Sequence, residues 1–278
     1  MALSALLVSV PPSQTQTAVQ PNEVTRKRLQ PIVKGILAAW DKYDVVCLGE
    51  DHGSKNDSDL RILLVEHPDF IRKVNVVMVE FANNAHQDLL DRFALDAENM
   101  SREQLRQAWI GSSGTPVWDS PIYEAFLRAV RKVNFNVPRD RRIRLLAGDN
   151  FRESNRGKVI RDLVAREILD KRLKALTIYG AEHCTHRAMG FPGELADRYP
   201  NRTWSAFNFY DPEAGRQVFG LSDEPQLIPI RGTDKANLPV GKMFFLGRYN
   251  DSSTLKDMAN AIVYYGDIKD SKVHLQQK

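Results

Sequence analysis

Residues Asp44–Glu50 read DVVCLGE, a short apolar run rich in valine, and this is the pattern of a strand buried on both faces. Three later runs have the same character: Val74–Phe81 (VNVVMVEF), Ile143–Asp149 (IRLLAGD) and Ala175–Gly180 (ALTIYG). Strands that are apolar on both faces are typical of parallel sheets covered by helices. The four runs therefore predict the centre of such a sheet.

Helical patterns separate the four runs. Asp59–Glu66 is periodic and ends before Pro68, and Ser120-Pro121 places a proline at the first position of a helix with an apolar face. Strands and helices in alternation predict right-handed crossover connections. We therefore expect an α/β fold, a single three-layer domain with a largely parallel central sheet flanked by helices.

The chain of 278 residues is long enough for one large domain or two small ones, and no change in composition marks a linker. The single domain is expected to span residues 24–270, between a tail or weak signal segment at 1–23 and a polar tail at 271–278. Four further strands are predicted in its second half: Thr203–Tyr210, Gln226–Arg231, Met243–Arg248 and Ala261–Tyr265.

Composition excludes several classes of protein. The net charge is +4, but acids and bases alternate and no long run of Lys or Arg predicts nucleic-acid binding. No apolar stretch reaches the roughly 18 residues of a membrane span. Ala2–Val10 is apolar and has two interpretations: a signal remnant, which would indicate a secreted or periplasmic protein, or a disordered tail on a cytoplasmic one. Cys47 and Cys184 lie in apolar contexts and are predicted to be buried free thiols.

Polar residues follow each of the four predicted strands. The sequences at these ends are Gly49-Glu50-Asp51-His52, Glu80-Phe81-Ala82-Asn83, Gly148-Asp149-Asn150 and Gly180-Ala181-Glu182-His183. The carboxyl ends of parallel strands lie at one edge of the sheet, where open α/β folds place their ligand crevice. Clustered acids tend to have perturbed pKa values, so we expect a functional site for a small-molecule substrate here.

Structural interpretations compete with this one. A single acid after a strand is often the N-cap of the next helix, and Ser54 is expected to be a helix cap rather than a nucleophile. Trp109, Trp118 and Tyr123 are expected to pack in the core, although they could also wall a pocket. The glycines form no nucleotide-binding motif, and no GxSxG motif predicts a serine hydrolase.

Five residues near the strand ends are candidates for substrate binding: Arg61, Asp149, Asn150, Arg152 and Arg187. Arg152 and Arg187 are predicted to balance the clustered acids because they follow two strand ends closely. Arg61, on the helix after His52, could reach an anion or be solvated.

Three segments together resemble one superfamily: LGEDHGS (Leu48–Ser54), VEFAN (Val79–Asn83) and YGAEHCTHR (Tyr179–Arg187). Their order and spacing are similar to those of erythromycin esterases and ChaN-like haem-binding lipoproteins, a superfamily that includes TIKI/TraB-type membrane proteases. The resemblance covers residues 44–186, and AIVYYGD (Ala261–Asp267) resembles the family's closing strand.

The resemblance implies catalytic roles for Glu50, His52, Glu80 and His183. In esterase-type members it implies a His base, steered by Glu, that activates water against an ester or lactone. In protease-type members it implies a divalent metal such as Zn, Mn or Co, and the same four residues would be its ligands. One residue separates Glu50 from His52, as in the ChaN-like pattern, whereas esterases typically have two.

We therefore predict a hydrolase in which His52 is the base. The alternative is a protein that binds haem or iron through His and Tyr ligands, with a homodimer as the assembly. A third hypothesis is a non-catalytic module that retains only the fold.

Overall fold

The computed structural model describes residues 19–96, 98–110, 116–150, 155–187, 190–209, 211–240 and 253–273. Seven strands form one sheet: β1 (Val45–Glu50), β2 (Val76–Asn83), β3 (Arg144–Asp149), β4 (Ala175–Gly180), β5 (Thr203–Asn208), β6 (Gln226–Pro229) and β7 (Ala261–Tyr264). Their order is β3-β2-β4-β1-β5-β7-β6, and every pairing is parallel except that of β6 with β7.

Ten α-helices are described: α1 (Glu23–Ala39), α2 (Lys55–Glu66), α3 (Pro68–Lys73), α4 (Gln87–Ala94), α5 (Arg102–Arg106), α6 (Pro121–Asn134), α7 (Arg156–Val164), α8 (Phe191–Leu195), α9 (Pro212–Phe219) and α10 (Leu255–Met258). Ser54 is the N-cap of α2, as predicted, and its side chain accepts a hydrogen bond from the backbone N–H of Asp57. Pro121 is the first residue of α6.

Two apolar layers enclose the sheet, because alternate residues of each strand point to opposite faces. In β1, Val46 and Leu48 join the core formed with α1, α2 and α6, whereas Val45 and Cys47 join the core formed with α7 and α8. The predicted three-layer α/β domain is thus confirmed. None of the described helices is long and apolar enough to cross a membrane.

The first four predicted strands are confirmed, with boundaries that differ by no more than two residues. The predicted strands that begin at Thr203, Gln226 and Ala261 are also present and end one or two residues earlier than expected. The predicted strand Met243–Arg248 and the apolar run Ala2–Val10 lie outside the described residues.

The prediction of two free thiols is wrong, since Cys47 and Cys184 form a disulfide. Cys184 lies in a 3-10 turn, Ala181–Cys184, that follows β4 and folds over β1. Both cysteines belong to the same apolar layer, with Cα atoms 5.6 Å apart. The bond thus fixes the turn to β1 across 137 residues of sequence.

Candidate functional site

The carboxyl ends of β1, β2 and β4 open into a cavity of about 370 Å³. Its lining includes the four predicted catalytic residues, Glu50, His52, Glu80 and His183. The other residues that line it are Gly49, Asp51, Arg156, Gly180, Ala181, Glu182, Thr185, Phe207, Asn208, Phe209 and Met258. The parallel order of the strands explains this convergence, because it brings segments from distant parts of the chain to one edge.

The first cluster of the site forms around the carboxylate of Glu50, which is almost fully buried. His52 Nδ1 lies 2.8 Å from Glu50 Oε1, the hydroxyl of Tyr123 donates to the same oxygen at 3.0 Å, and the guanidinium of Arg61 donates to Oε2. Arg61 is 2% exposed and packs against the rings of Tyr123 and Phe126. Burial opposes ionisation of Glu50, but Arg61 and His52 outweigh it and lower its pKa to about 2.

Glu50 and Trp118 hold the ring of His52 in place. The Trp118 ring packs edge-on against the imidazole with centroids 4.6 Å apart. Burial alone would lower the pKa of His52, but the hydrogen bond and the charge of Glu50, with the charges of Glu80 and Asp51, raise it above its usual value of 6.5. Nε2 of His52 has no hydrogen-bond partner among the described residues, and the ring lines the cavity.

Two glycines, Gly53 and Gly180, make room for the imidazole of His52. Gly53 has a φ of +81°, a conformation that favours glycine, and it lets the chain turn sharply from β1 into α2. Gly180, at the end of β4, faces the imidazole: a Cβ atom there would lie 3.2 Å from His52 Cε1. A larger residue at position 180 would therefore displace the imidazole or the strand end.

The turn between β1 and α2 is supported from beneath by Asp57. Its carboxylate accepts hydrogen bonds from the backbone N–H of Asp51 at 2.8 Å and from the hydroxyl of Tyr265 at 2.6 Å. Burial raises the pKa of Asp57 to about 7, although both hydrogen bonds act in the opposite direction. The hydrogen bond from Asp51 to Asp57 thus fixes the residue that directly precedes His52 in the turn.

The second cluster lies at the ends of β2, β3 and β4. Arg156, the first residue of α7, donates to Glu80 Oε1 at 2.8 Å and to Asp149 Oδ2 at 2.7 Å. Glu80 Oε2 also accepts from the backbone N–H of Gly180 at 2.7 Å, and His183 Nε2 lies 3.5 Å from Glu80 Oε1. Burial raises the pKa of Asp149, and Arg156 partly offsets this effect.

None of the predicted substrate-binding residues that the structure describes is part of the cavity lining. Arg61 contacts Glu50 from behind and Asp149 contacts Arg156, and neither lines the cavity. Asn150 directly follows β3, and Arg187 is not part of the cavity lining among the described residues. Arg152 lies outside the described residues.

Sequence reasoning missed Arg156 as the cation of the second cluster and did not assign Tyr123 and Trp118 to the site. Trp118 and Tyr123 were expected to be core residues, and they are buried as expected, but they also contact Glu50 or His52. The one available signal for Arg156 was its position at the start of an amphipathic helix that follows a strand ending in Asp149.

The four residues predicted as metal ligands already have other partners. Among the described residues, no group of three or more His, Cys, Asp and Glu side chains is arranged to hold a metal ion. The reason is local: the oxygens of Glu50 already accept from Arg61, Tyr123 and His52. Those of Glu80 accept from Arg156 and from a backbone N–H. The predicted ligands therefore do not fit a divalent metal in this arrangement.

The sequence matches no protein-family model and no curated protein. Among solved structures, a Bacillus cereus protein is 13% identical, with a TM-score of 0.61 over 95% of this chain and 100% of that one. The haem-binding ChaN of Campylobacter jejuni is 14% identical, with a TM-score of 0.42 over 64% of this chain and 85% of that one. The type III effector HopBA1 is also 14% identical, with a TM-score of 0.40 over 64% and 82%. At such low identity, the likeness to the Bacillus cereus protein shows that the two chains share a fold, and a shared fold does not establish a shared function.

Proposed function

We propose that the protein is a hydrolase in which His52 activates water against an ester, a lactone or a similar carbonyl compound. One observation carries the proposal: Glu50 holds Nδ1 of His52 at 2.8 Å while the ring lines a cavity. A carboxylate on Nδ1 fixes the tautomer in which Nδ1 carries the proton, and it stabilises the imidazolium that forms when Nε2 accepts a second one. The lone pair on Nε2 is then available to water.

The reaction follows from this arrangement. Nε2 of His52 takes a proton from a water molecule as the oxygen of that water adds to the carbonyl carbon of the substrate. The tetrahedral intermediate collapses with cleavage of the bond to the leaving oxygen, which receives the proton from Nε2. The products are a carboxylic acid and an alcohol, or one hydroxy acid from a lactone.

Arg156 is the residue proposed to stabilise the negative charge that develops on the carbonyl oxygen. Its guanidinium lines the cavity, and its side chain is 39% exposed, whereas Arg61 is buried behind Glu50. A cation that faces the substrate can act on the oxyanion, while a buried cation can only act on Glu50. Glu80 and Asp149 hold the guanidinium in place through hydrogen bonds.

Haem binding is the alternative function. Two imidazoles, His52 and His183, line the same cavity, and imidazole is a common axial ligand of haem iron. The phenol of Tyr179 is not a ligand in this arrangement, because it is buried and donates to the backbone carbonyl of Gly148 at 2.7 Å. In this alternative the imidazoles would coordinate iron rather than accept a proton from water.

The test compares the protein with its His52→Ala variant on 4-nitrophenyl acetate, 4-nitrophenyl butyrate and δ-valerolactone, with and without a chelator. We expect kcat to fall by about 10²–10⁴-fold, with a nearly unchanged melting temperature. Activity should be insensitive to the chelator. His86→Ala is the matched control, because His86 is partly exposed and is not part of the cavity lining.

Full activity of the His52→Ala variant would contradict the proposal. So would a protein that hydrolyses none of the three compounds and instead gives a Soret band with one equivalent of haem. Loss of that band in His52→Ala or His183→Ala would then assign the cavity to haem.

A further inference from the structure

The segment Asp270–Val273 lies against the turn that carries His52. The backbone N–H of Lys55 donates to the carbonyl of Ser271 at 3.0 Å, and the backbone N–H of Val273 donates to the carbonyl of Gly53 at 2.9 Å. The two chain segments thus pair in an antiparallel bridge. Asp270 adds a contact, since its carboxylate accepts from the backbone N–H of Asn56 at 3.0 Å.

Lys272 makes the most direct contacts with the turn. Its Nζ donates to the backbone carbonyl of His52 at 3.0 Å and lies 2.5 Å from Oδ1 of Asp51. One ammonium group therefore holds two consecutive residues, one of which is the proposed base. Lys269, three residues earlier, forms no ion pair or side-chain hydrogen bond with another described residue and is exposed.

Other contacts hold the turn from the inside of the molecule. Asp57 accepts from the backbone of Asp51, and the hydroxyl of Tyr123 accepts from the backbone N–H of Gly53 at 3.1 Å. Both of these groups belong to helices. On the outside of the turn, the backbone hydrogen bonds found among the described residues are those with Asp270–Val273.

We propose that the segment Asp270–Val273, and Lys272 above all, positions the turn so that His52 keeps its hydrogen bond to Glu50; this inference rests on the proposed role of His52 as the base. Lys272 is a positioning residue, since it contacts the backbone of His52 and is not part of the cavity lining. Exposed ion pairs contribute little to folding stability. Placement of a catalytic group matters more, because a shift of about 1 Å can cost on the order of a hundredfold in rate.

The experiment compares Lys272→Met, Lys272→Arg, the matched control Lys269→Met and a variant that ends at Lys269. With 4-nitrophenyl acetate, we expect Lys272→Met to lower kcat on the order of tenfold, with an unchanged KM and melting temperature. Lys272→Arg should restore kcat, because arginine keeps the charge and the donors. Lys269→Met should match the unaltered protein. The shortened variant should lose the most activity.

Two measurements report the position of His52 and its turn independently of catalytic activity. The proton on Nδ1 of His52, assigned by its absence in His52→Ala, should give a downfield NMR signal in the unaltered protein, and this signal should broaden or move upfield in Lys272→Met and in the shortened variant. Amide hydrogen exchange at Lys55 and Asn56, whose N–H groups donate to the segment, should accelerate in the shortened variant while exchange in β4 stays unchanged.

An unchanged kcat and an unchanged Nδ1 signal in both variants would overturn the inference. If the unaltered protein hydrolyses none of the probes, the proposed function fails but the inference does not fail with it. In that case the Nδ1 signal and the exchange rates decide whether the segment positions His52.

Discussion

The two clusters of the site pair buried carboxylates with arginine in different ways. In the first, Glu50 and Arg61 are both almost fully buried, with side chains 4% and 2% exposed. In the second, Glu80 and Asp149 are as deeply buried, but their partner Arg156 is 39% exposed. Both charged groups of the first cluster are thus buried, whereas the cation of the second cluster also lines the cavity.

Because of this difference, the first cluster can hold a side chain in one orientation, whereas the arginine of the second can change its contacts. The Glu50–Arg61 pair is almost fully buried, so neither group can readily exchange its partner for water, and Glu50 can hold His52 in one orientation. Arg156 can exchange a contact with Glu80 for a contact with a ligand at small cost, because water already reaches it. The contrast is consistent with the proposed roles, proton transfer in the first cluster and charge stabilisation in the second.

The largest expected effect is on stability, when Glu50 or Glu80 is replaced by alanine. Glu50→Ala leaves the charge of Arg61 buried and unpaired, so we expect the free energy of unfolding to fall by about 3–5 kcal/mol. Glu80→Ala should cost only about 1–2 kcal/mol, because Arg156 is hydrated and keeps Asp149. Urea unfolding of the two variants measures the difference.

The double variant Glu50→Ala/Arg61→Met is the control for this explanation. It should regain much of the stability lost in Glu50→Ala, since replacing both partners of a buried pair by apolar groups is often neutral. The regained stability should not restore catalysis, because His52 has lost its partner Glu50. Equal losses in Glu50→Ala and Glu80→Ala would show that the two clusters do not differ as described.

The sequence predicted the sheet and the convergence of the strand ends, because both follow from local patterns. The run Ala175–Gly180 is short and mostly apolar, and its predicted boundaries are those of the strand. Glu50 and His52 are two residues apart in the chain, and they meet as predicted. Short-range spacing and strand order were sufficient for these features.

Contacts between distant segments could not be predicted in the same way. The pairing of Cys47 with Cys184 depends on a 3-10 turn after β4 that the sequence pattern did not predict. Arg156 was missed because its contacts join three separate elements: α7, β2 through Glu80 and β3 through Asp149. The contact of Lys272 with the turn after β1 depends on the path of the last residues, for which the sequence has no periodic pattern.

The disulfide links the two clusters, and its removal should affect them differently. Cys47 lies in β1, and Cys184 directly follows His183 in the turn. We expect the variant Cys47→Ala/Cys184→Ala to lose about 2–4 kcal/mol of unfolding free energy. NMR signals of the His183 ring should broaden, whereas the Nδ1 proton of His52, held by Glu50, should stay sharp.

Reductant provides the control for the disulfide. Dithiothreitol should lower the urea midpoint of the unaltered protein towards that of the double variant and should have no effect on the variant itself. Unaltered protein that unfolds at the same urea concentration with and without reductant would count against the bond as a link between the clusters.

The smallest expected effect is a shift of the pH at which the base titrates. His52 has to be neutral to accept a proton, so kcat/KM should rise with pH through a pKa above 6.5. Glu50 titrates at about pH 2 and stays ionised across this range. In Glu50→Gln, burial still favours the neutral imidazole while the charge of Glu50 is lost, so the midpoint should move to lower pH and the maximal rate should fall.

Asp51→Asn tests whether this shift comes from Glu50 in particular. Asp51 raises the pKa of His52 through its charge alone and less than Glu50 does, so its variant should shift the midpoint in the same direction by a smaller amount. NMR titration of the His52 ring measures the same pKa without a substrate. A midpoint that stays in place in Glu50→Gln would mean that the carboxylate does not set the proton affinity of the base, and this would contradict the proposed role of the first cluster in proton transfer.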